Sequence, residues 1–196
     1  MRALVAAALL PLILLLAACG QPAGPKFQLT DVTGAPFGKA LALTDHAGKP
    51  RTLEDFKGKV VVIFFGYTQC PDVCPTTLAE MAKVVKELGA NGERVQVLFV
   101  TVDPERDTPQ LLRQYVTAFN PAFLGLHGDA AATTRATKEF KIFVQKQPTK
   151  SGGYSVDHSA GTFIVDPQGR LRLFAQHGVA APALVADIRT LLKPAS

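Results

Sequence analysis

The chain has 196 residues, which is enough for one ordinary domain with a buried core. Its residues are 47% hydrophobic and 19% charged, a composition that excludes a disordered chain. The formal net charge is +5, but the basic residues are scattered among acidic ones. Because there is no Lys/Arg block, nucleic acid is excluded as a partner.

The first segment, residues 1–18, is predicted to be a signal peptide. Its apolar run, residues 3–18, is shorter than the roughly 20 residues that a membrane span needs. The run ends in Leu16-Ala17-Ala18-Cys19, which resembles a bacterial lipobox, so we expect cleavage before Cys19 and lipidation of that residue. A plain secretory signal is the alternative, and both imply export. With the lipid, the protein is expected to be a membrane-anchored bacterial lipoprotein that faces the periplasm or the cell exterior.

Residues 19–40 follow and are rich in Gly and Pro, which predicts a flexible tether after the lipidated cysteine. The globular part is predicted to begin near Phe27 or near Leu41, and the domain proper is assigned to residues 41–196. It opens with a hairpin whose first strand is Leu41–Thr44 and whose turn lies at residues 45–50. The continuous apolar run Val60–Phe65 then predicts a central strand that is buried on both faces.

Helices and strands alternate after this strand. Apolar spacing and cap residues predict a helix over 75–88 with Pro75 at its first position, a strand over 95–102, a helix from Thr108, a short strand over 122–126, a helix over 129–140, a hairpin of 162–165 with 171–174, and a last helix over 182–193. This order is that of thioredoxin with inserted elements. It predicts an α/β, thioredoxin-like fold in which helices flank a central mixed sheet.

Two cysteines occupy the turn between the central strand and the first long helix. The free N–H groups and the dipole of a helix N-terminus favour a thiolate, so we expect a lowered pKa, most of all for Cys74, which directly precedes Pro75. Cys70 and Cys74 are four residues apart, a spacing that allows one shared metal ion or a disulfide. Such a small disulfide loop adds little stability. Two inert, buried cysteines are the alternative, which the polar residues around the pair disfavour.

A metal site needs further ligands, and Cys19 is assigned to the lipid. His46 is expected to be a solvated turn residue, and His127 and His177 are expected to be structural or exposed. His158 lies in the segment that enters the last hairpin, which faces the redox turn in thioredoxin-type folds, and the sequence alone leaves its role open. Two thiolates and one imidazole suit copper, especially Cu(I), whereas structural zinc would need a fourth protein ligand.

Four segments of this chain match one known family. The turn Cys70–Pro75 resembles the CxxxCP signature of the Sco/SenC copper proteins, and Phe65–Thr68, Asp103–Pro109 and Val156–Ala160 resemble further motifs of that family. The resemblance covers about residues 27–178. By itself, the run Asp103–Pro109 is expected only to form a turn and cap the next helix, with no catalytic role.

The resemblance implies a thioredoxin-like fold and copper, as Cu(I), Cu(II) or both, bound by Cys70, Cys74 and His158. It also implies that the protein is a metallochaperone that helps to assemble the dinuclear CuA centre of cytochrome c oxidase. The implied partners are the CuA-bearing subunit of the oxidase, another protein that donates copper, and the membrane, reached through the lipid. Many relatives use a transmembrane anchor instead of a lipid.

Two enzymatic interpretations compete with copper handling. A peroxiredoxin loop resembles Val73–Thr76, but that pattern needs Thr where this chain has Pro71 and Pro where it has Tyr67. A thiol:disulfide reductase would use Cys70 and Cys74 as a redox-active pair, for example to keep the CuA-ligand cysteines reduced. Thioredoxins have two residues between their cysteines where this chain has three, and such a reductase has no need of His158.

Overall fold

A computed structural model of the chain describes residues 25–150 and 152–193. Four helices flank an eight-stranded mixed sheet, and two further strands form a separate small sheet. The strands are β1 (Thr30–Asp31), β2 (Ala42–Asp45), β3 (Pro50–Thr52), β4 (Val60–Gly66), β5 (Val95–Thr101), β6 (Leu124–His127), β7 (Val144–Pro148), β8 (Tyr154–His158), β9 (Gly161–Val165) and β10 (Leu171–Gln176). The helices are α1 (Val73–Glu87), α2 (Pro109–Thr117), α3 (Ala130–Glu139) and α4 (Ala181–Leu191).

The large sheet has the strand order β1-β10-β9-β4-β5-β6-β2-β3. β4, β5 and β6 run parallel to one another, and the other neighbours are antiparallel. This arrangement agrees with the predicted α/β class and its central mixed sheet flanked by helices. The parallel centre follows from the helical crossovers, since parallel strands need a long connection between them.

β4 lies at the centre of the core, and all its residues are buried. Its side chains alternate between two apolar clusters, one on each face of the sheet. Val62 and Phe64 pack under α1, α2 and α4, whereas Ile63 and Phe65 pack on the side of α3. Two covered faces explain why the run is apolar throughout rather than alternating.

The sequence prediction missed the small sheet of β7 and β8. Both strands are mostly polar and are exposed or half-buried, apart from Val156, so the apolar signal of a strand is absent. His158 consequently ends a strand, opposite Val144, instead of lying in a loop. α1 also begins at Val73, after Asp72, so that Cys74 lies inside its first turn rather than before it.

The packed domain begins before the predicted boundary at residue 41. β1 pairs with β10, and Leu29 belongs to the core. The buried carboxylate of Asp187, on α4, accepts hydrogen bonds from the backbone N–H groups of Gln28 and Leu29 at 2.8–3.1 Å. Residues 28–31 therefore pack with the domain, as expected for a start near Phe27, although the assigned tether extended to residue 40.

The predicted signal peptide and the predicted lipidation residue Cys19 lie outside the described residues. Within residues 25–150 and 152–193, no helix is both long enough and apolar enough to cross a membrane.

The clamp between α4 and the N-terminal segment can be tested by replacing Asp187. We expect Asp187→Ala to lower the free energy of unfolding by about 2–3 kcal/mol, because it leaves buried backbone N–H groups without a partner. Glu139→Ala is the control, since Glu139 accepts an equivalent hydrogen bond from Lys39 at an exposed position and should cost less than about 0.5 kcal/mol. Urea unfolding measures the free energy of unfolding of both variants. An equal decrease in the two would contradict a stabilising role for the hydrogen bonds of Asp187.

Candidate metal centre

The topology brings three connecting segments to one edge of the large sheet. β4 and β5 are parallel, with Gly66 paired to Thr101, so the loops that follow both strands emerge side by side. β9 is antiparallel to β4, with Thr162 opposite Phe64, so the segment that enters β9 starts at the same edge. The cysteine loop (residues 67–72), the turn at 102–108 and the end of β8 therefore lie together.

Cys70 and Cys74 are both free thiols, and the structure places their sulfurs together. Cys74 is fully buried in the first turn of α1, and Cys70 is half-buried in the loop before it. The Cys74 N–H donates to Cys70 Sγ at 3.4 Å, and the two side chains are hydrogen-bonded to each other. The backbone of Tyr67 also forms a hydrogen bond with the Cys74 sulfur.

The expected lowering of the Cys74 pKa is wrong. Burial raises the pKa of the Cys74 thiol, and this effect outweighs the hydrogen bond from the Tyr67 backbone, which acts in the opposite direction. The sequence indicated a helix N-terminus but not the depth of the residue below the surface. In the structure, a backbone N–H of the first turn faces the sulfur of Cys70 instead.

Gly66 is required at the end of β4 because Cys74 packs directly against it. A Cβ atom at this position would lie 2.7 Å from Cys74 Sγ and 2.8 Å from the ring of Phe99. Both distances are far below van der Waals contact, so any side chain would displace the thiol or the ring. The backbone of the central strand thus sets the position of the buried sulfur.

His158 ends β8 with its ring edge-on to Tyr67, at a centroid separation of 5.8 Å. Its Nδ1 lies 3.2 Å from the carbonyl oxygen of Val156, which suits an N–H on Nδ1 and a lone pair on Nε2. Nε2 is buried and has no hydrogen-bond partner among the described residues. Nε2 is therefore free to bind a metal, and the contact of the ring with Tyr67, next to the cysteine loop, distinguishes His158 from the other histidines.

The three predicted ligands do not form a closed cluster. Among the side chains that the structure describes, no three His, Cys, Asp or Glu residues are close enough together to hold a metal ion. Cys74 N–H contacts Cys70 Sγ, and the His158 ring contacts Tyr67 at the start of the same loop. A three-ligand site therefore needs the side chain of His158 to move towards the sulfurs.

The turn at 102–108 has a larger role than the sequence indicated. Thr108 caps α2, as expected, by accepting from Leu111 N–H at 3.2 Å. The buried carboxylate of Asp107 in addition accepts from the Thr68 hydroxyl and the Thr101 hydroxyl, both at 2.6 Å, and from the Thr68 N–H. Burial raises the pKa of Asp107 despite these hydrogen bonds. The turn thus fixes the start of the cysteine loop.

His127 ends β6 opposite Thr44, and its Nε2 is buried without a hydrogen-bond partner among the described residues, as that of His158 is. The two remaining histidines make side-chain hydrogen bonds. His46, expected to be solvated, is half-buried, and its Nδ1 accepts from Gly125 N–H at 3.1 Å, because the turn packs against β6. His177 is exposed and lies 3.4 Å from the Thr77 hydroxyl.

Comparison with known proteins gives one consistent result. The SCO1/SenC family model matches residues 30–193. The solved structure of apo Sco1 from Thermus thermophilus is 43% identical, covers 86% of this chain and 99% of that chain, and has a TM-score of 0.75. ScoI from Bradyrhizobium japonicum, solved with copper bound, is 38% identical, covers 78% of this chain and 98% of that chain, and has a TM-score of 0.72. These likenesses confirm the predicted thioredoxin-like fold class.

Curated sequences agree with the structures. The mitochondrial SCO2 homolog of Mus musculus is 36% identical over 152 residues, which are 76% of this chain and 60% of that protein. The chain spans between 45% and 66% of the length of the curated relatives found.

The difference in burial between the two thiols can be tested by alkylation of the reduced protein. In Cys70→Ser, the remaining domain thiol is the buried Cys74, whose raised pKa keeps it protonated at pH 8, so we expect slow reaction with iodoacetamide. In Cys74→Ser, the half-exposed Cys70 should react at least about ten times faster. Mass spectrometry of the tryptic peptide gives both rates, and equal rates would contradict the buried position of Cys74.

Proposed function

Because this chain belongs to the SCO1/SenC family, we propose that it is a copper metallochaperone that helps to assemble the CuA centre of cytochrome c oxidase. Its copper ligands are proposed to be Cys70, Cys74 and His158. One observation supports the assignment: Nε2 of His158 is buried without a hydrogen-bond partner among the described residues, and the His158 ring contacts Tyr67 at the start of the loop that carries Cys70. A relative with the same fold, ScoI, has been solved with copper bound.

The proposed ligands suit a metal that is carried and then given away. Two sulfurs and one imidazole form a soft set of low coordination number, which favours Cu(I) and leaves room for a ligand of the acceptor. Thiolates, not thiols, bind the metal, so binding displaces the proton of Cys74. Cys70 is the more exposed of the two thiols, and an acceptor is expected to approach from its side.

The partners and the location are proposed on the family resemblance and on the N-terminal sequence. The partners are the CuA-bearing subunit of the oxidase and a second protein that supplies copper. Lipidation of Cys19 after export would hold the domain at the membrane, on the periplasmic or outer side, where the CuA-bearing subunit is reached.

Copper binding by single-site variants tests the ligand set. The reduced protein should bind one copper, and Cu(II) should give a thiolate-to-copper absorption band in the visible range. Cys70→Ser, Cys74→Ser and His158→Ala should each weaken binding by more than about 100-fold, which exceeds the usual effect of losing a residue that only supports a ligand. His177→Ala is the control, because His177 is an exposed histidine with one side-chain contact.

Chelator competition measures these affinities. Retention of full copper affinity by Cys74→Ser or by His158→Ala would contradict the proposed ligand set. The protein oxidised to a Cys70–Cys74 disulfide provides a further check, because it lacks both thiolates and should bind little copper.

A thiol:disulfide reductase is the second candidate. Both thiols are free, and Cys70 Sγ lies 3.4 Å from the backbone nitrogen of Cys74, so the two cysteines are close enough in the chain and in space to be candidates for a disulfide. Oxidation of this pair would reduce a disulfide of the CuA-bearing subunit by thiol–disulfide exchange, with two electrons passing from Cys70 and Cys74 to the partner's cysteines.

His158→Ala separates delivery from reduction. Exchange between thiols and disulfides needs no imidazole ligand, so the variant should still reduce an oxidised CuA domain. Copper delivery needs the third ligand, so we expect the variant to leave a CuA domain with reduced cysteines without metal. CuA absorption of the acceptor is the measurement. Normal CuA assembly in cells that carry His158→Ala would favour the reductase.

A further inference from the structure

Arg106 contacts both halves of the proposed copper site, although it is not one of its ligands. Its Nη1 donates to Gln69 Oε1 at 3.1 Å, in the cysteine loop, and to the backbone carbonyl of Tyr154 at 2.8 Å, in β8. Its Nε donates to the fully buried carboxylate of Asp103. One guanidinium therefore joins the turn at 102–108, the loop that carries Cys70 and the strand that ends in His158.

Two aromatic rings enclose the same guanidinium. Its central carbon lies 3.8 Å from the ring centroid of Tyr154 and 5.7 Å from that of Tyr67. The Tyr154 hydroxyl donates to Asp103 Oδ1 at 2.9 Å, so the ring and the ion pair fix each other. Tyr67 in turn contacts the imidazole of His158, and its side chain is hydrogen-bonded to the backbone of Val156.

The arrangement is not the one that stability alone would favour. Nη2 of Arg106 is buried and has no hydrogen-bond partner in the described part of the chain. A buried donor without a partner costs free energy, and replacing an ion pair that includes a buried carboxylate by apolar groups is often neutral or stabilising. The contacts that Arg106 does make are all directed at segments that carry or adjoin the proposed ligands.

We propose that Arg106 is a positioning residue that fixes the sheet of β7 and β8 against the cysteine loop, and thereby sets the place of His158 relative to the two sulfurs. This inference rests on the proposed function, because it assigns Arg106 a role toward the proposed ligands. The planar guanidinium is suited to the task, since it forms hydrogen bonds with three acceptors in its own plane while it stacks on the Tyr154 ring. A lysine ammonium can reach Asp103, but it cannot form the planar set of hydrogen bonds or stack on the Tyr154 ring.

A matched control exists elsewhere in the fold. Arg51 also pairs with a buried carboxylate, that of Asp45 at 2.8 Å, and it lies over an aromatic ring, with its guanidinium carbon 5.6 Å from the centroid of Phe56. The two arginine side chains have nearly the same exposed fraction, 20% for Arg51 and 21% for Arg106. Arg51→Met therefore removes a comparable ion pair at a position outside the site.

The first measurement needs no copper. In the full-length reduced protein, NMR contacts between the Tyr67 and His158 rings should be strong in the wild type and in Arg51→Met. They should be lost or strongly weakened in Arg106→Met and Arg106→Lys. The lysine variant retains a positive charge beside Asp103, and the spread of the amide signals in the same spectra shows that each variant is folded. If both Arg106 variants show contacts between the Tyr67 and His158 rings as strong as those of the wild type, the inference is wrong.

The second measurement uses copper alone. Both Arg106 variants should still show thiolate-to-copper absorption, because the cysteines are unchanged. They should lose the nitrogen coupling of His158 in the electron paramagnetic resonance spectrum of bound Cu(II), and release Cu(I) to a chelator about tenfold faster, a typical effect for a residue that orients a ligand. If both Arg106 variants release Cu(I) as slowly as Arg51→Met and keep the same nitrogen coupling, Arg106 has no positioning role. If the wild type and His158→Ala give the same nitrogen coupling and the same rate of Cu(I) release, the proposed ligand set is wrong. The NMR contacts between the Tyr67 and His158 rings then still test whether Arg106 positions His158.

Discussion

The buried carboxylate of Asp107 joins the ends of the two central strands, and the cysteine loop depends on it. It accepts hydrogen bonds from Thr101, the last residue of β5, and from Thr68, just after β4. Burial disfavours the charged form of this group and raises its pKa, and the hydrogen bonds offset only part of that cost. Because Cys70 and Cys74 follow Thr68 closely in the sequence, the position of both sulfurs is tied to the end of β5.

The proposed ligands differ in how firmly the fold holds them. Cys74 is packed against Gly66 of the central strand, within the main core. His158 belongs to a two-stranded sheet that, among the described residues, has no hydrogen-bonded strand partner in the large sheet. Side-chain contacts such as those of Arg106 and Tyr67 hold it there. This combination suits a protein that takes up a metal and passes it on. The rigidly packed cysteine would retain the ion while the less constrained histidine moves.

The sequence predicted those parts of the fold whose signal is local. β4 and α1 were identified because their apolar residues recur at the spacing of their element, and the pairing of Cys70 with Cys74 followed from four-residue spacing at a helix start. β7 and β8 were missed because they are polar, and the depth of Cys74 was missed because burial depends on distant segments. The contacts of Arg106 join residues 37 to 48 positions apart, so no local pattern reveals them. The grouping of His158 with the sulfurs stays a prediction.

The aromatic residues around Arg106 give the protein an optical property of its own. The chain contains three tyrosines and no tryptophan, so its near-ultraviolet emission comes from tyrosine alone. Tyr67 and Tyr154 enclose Arg106, and Tyr115 packs against Phe99 in the core. Two of the three fluorophores thus border Arg106, and the third interacts electrostatically with Cys74 and Cys70. Changes in the surroundings of Arg106, such as those caused by metal binding, can therefore be followed by intrinsic tyrosine fluorescence, without an attached dye.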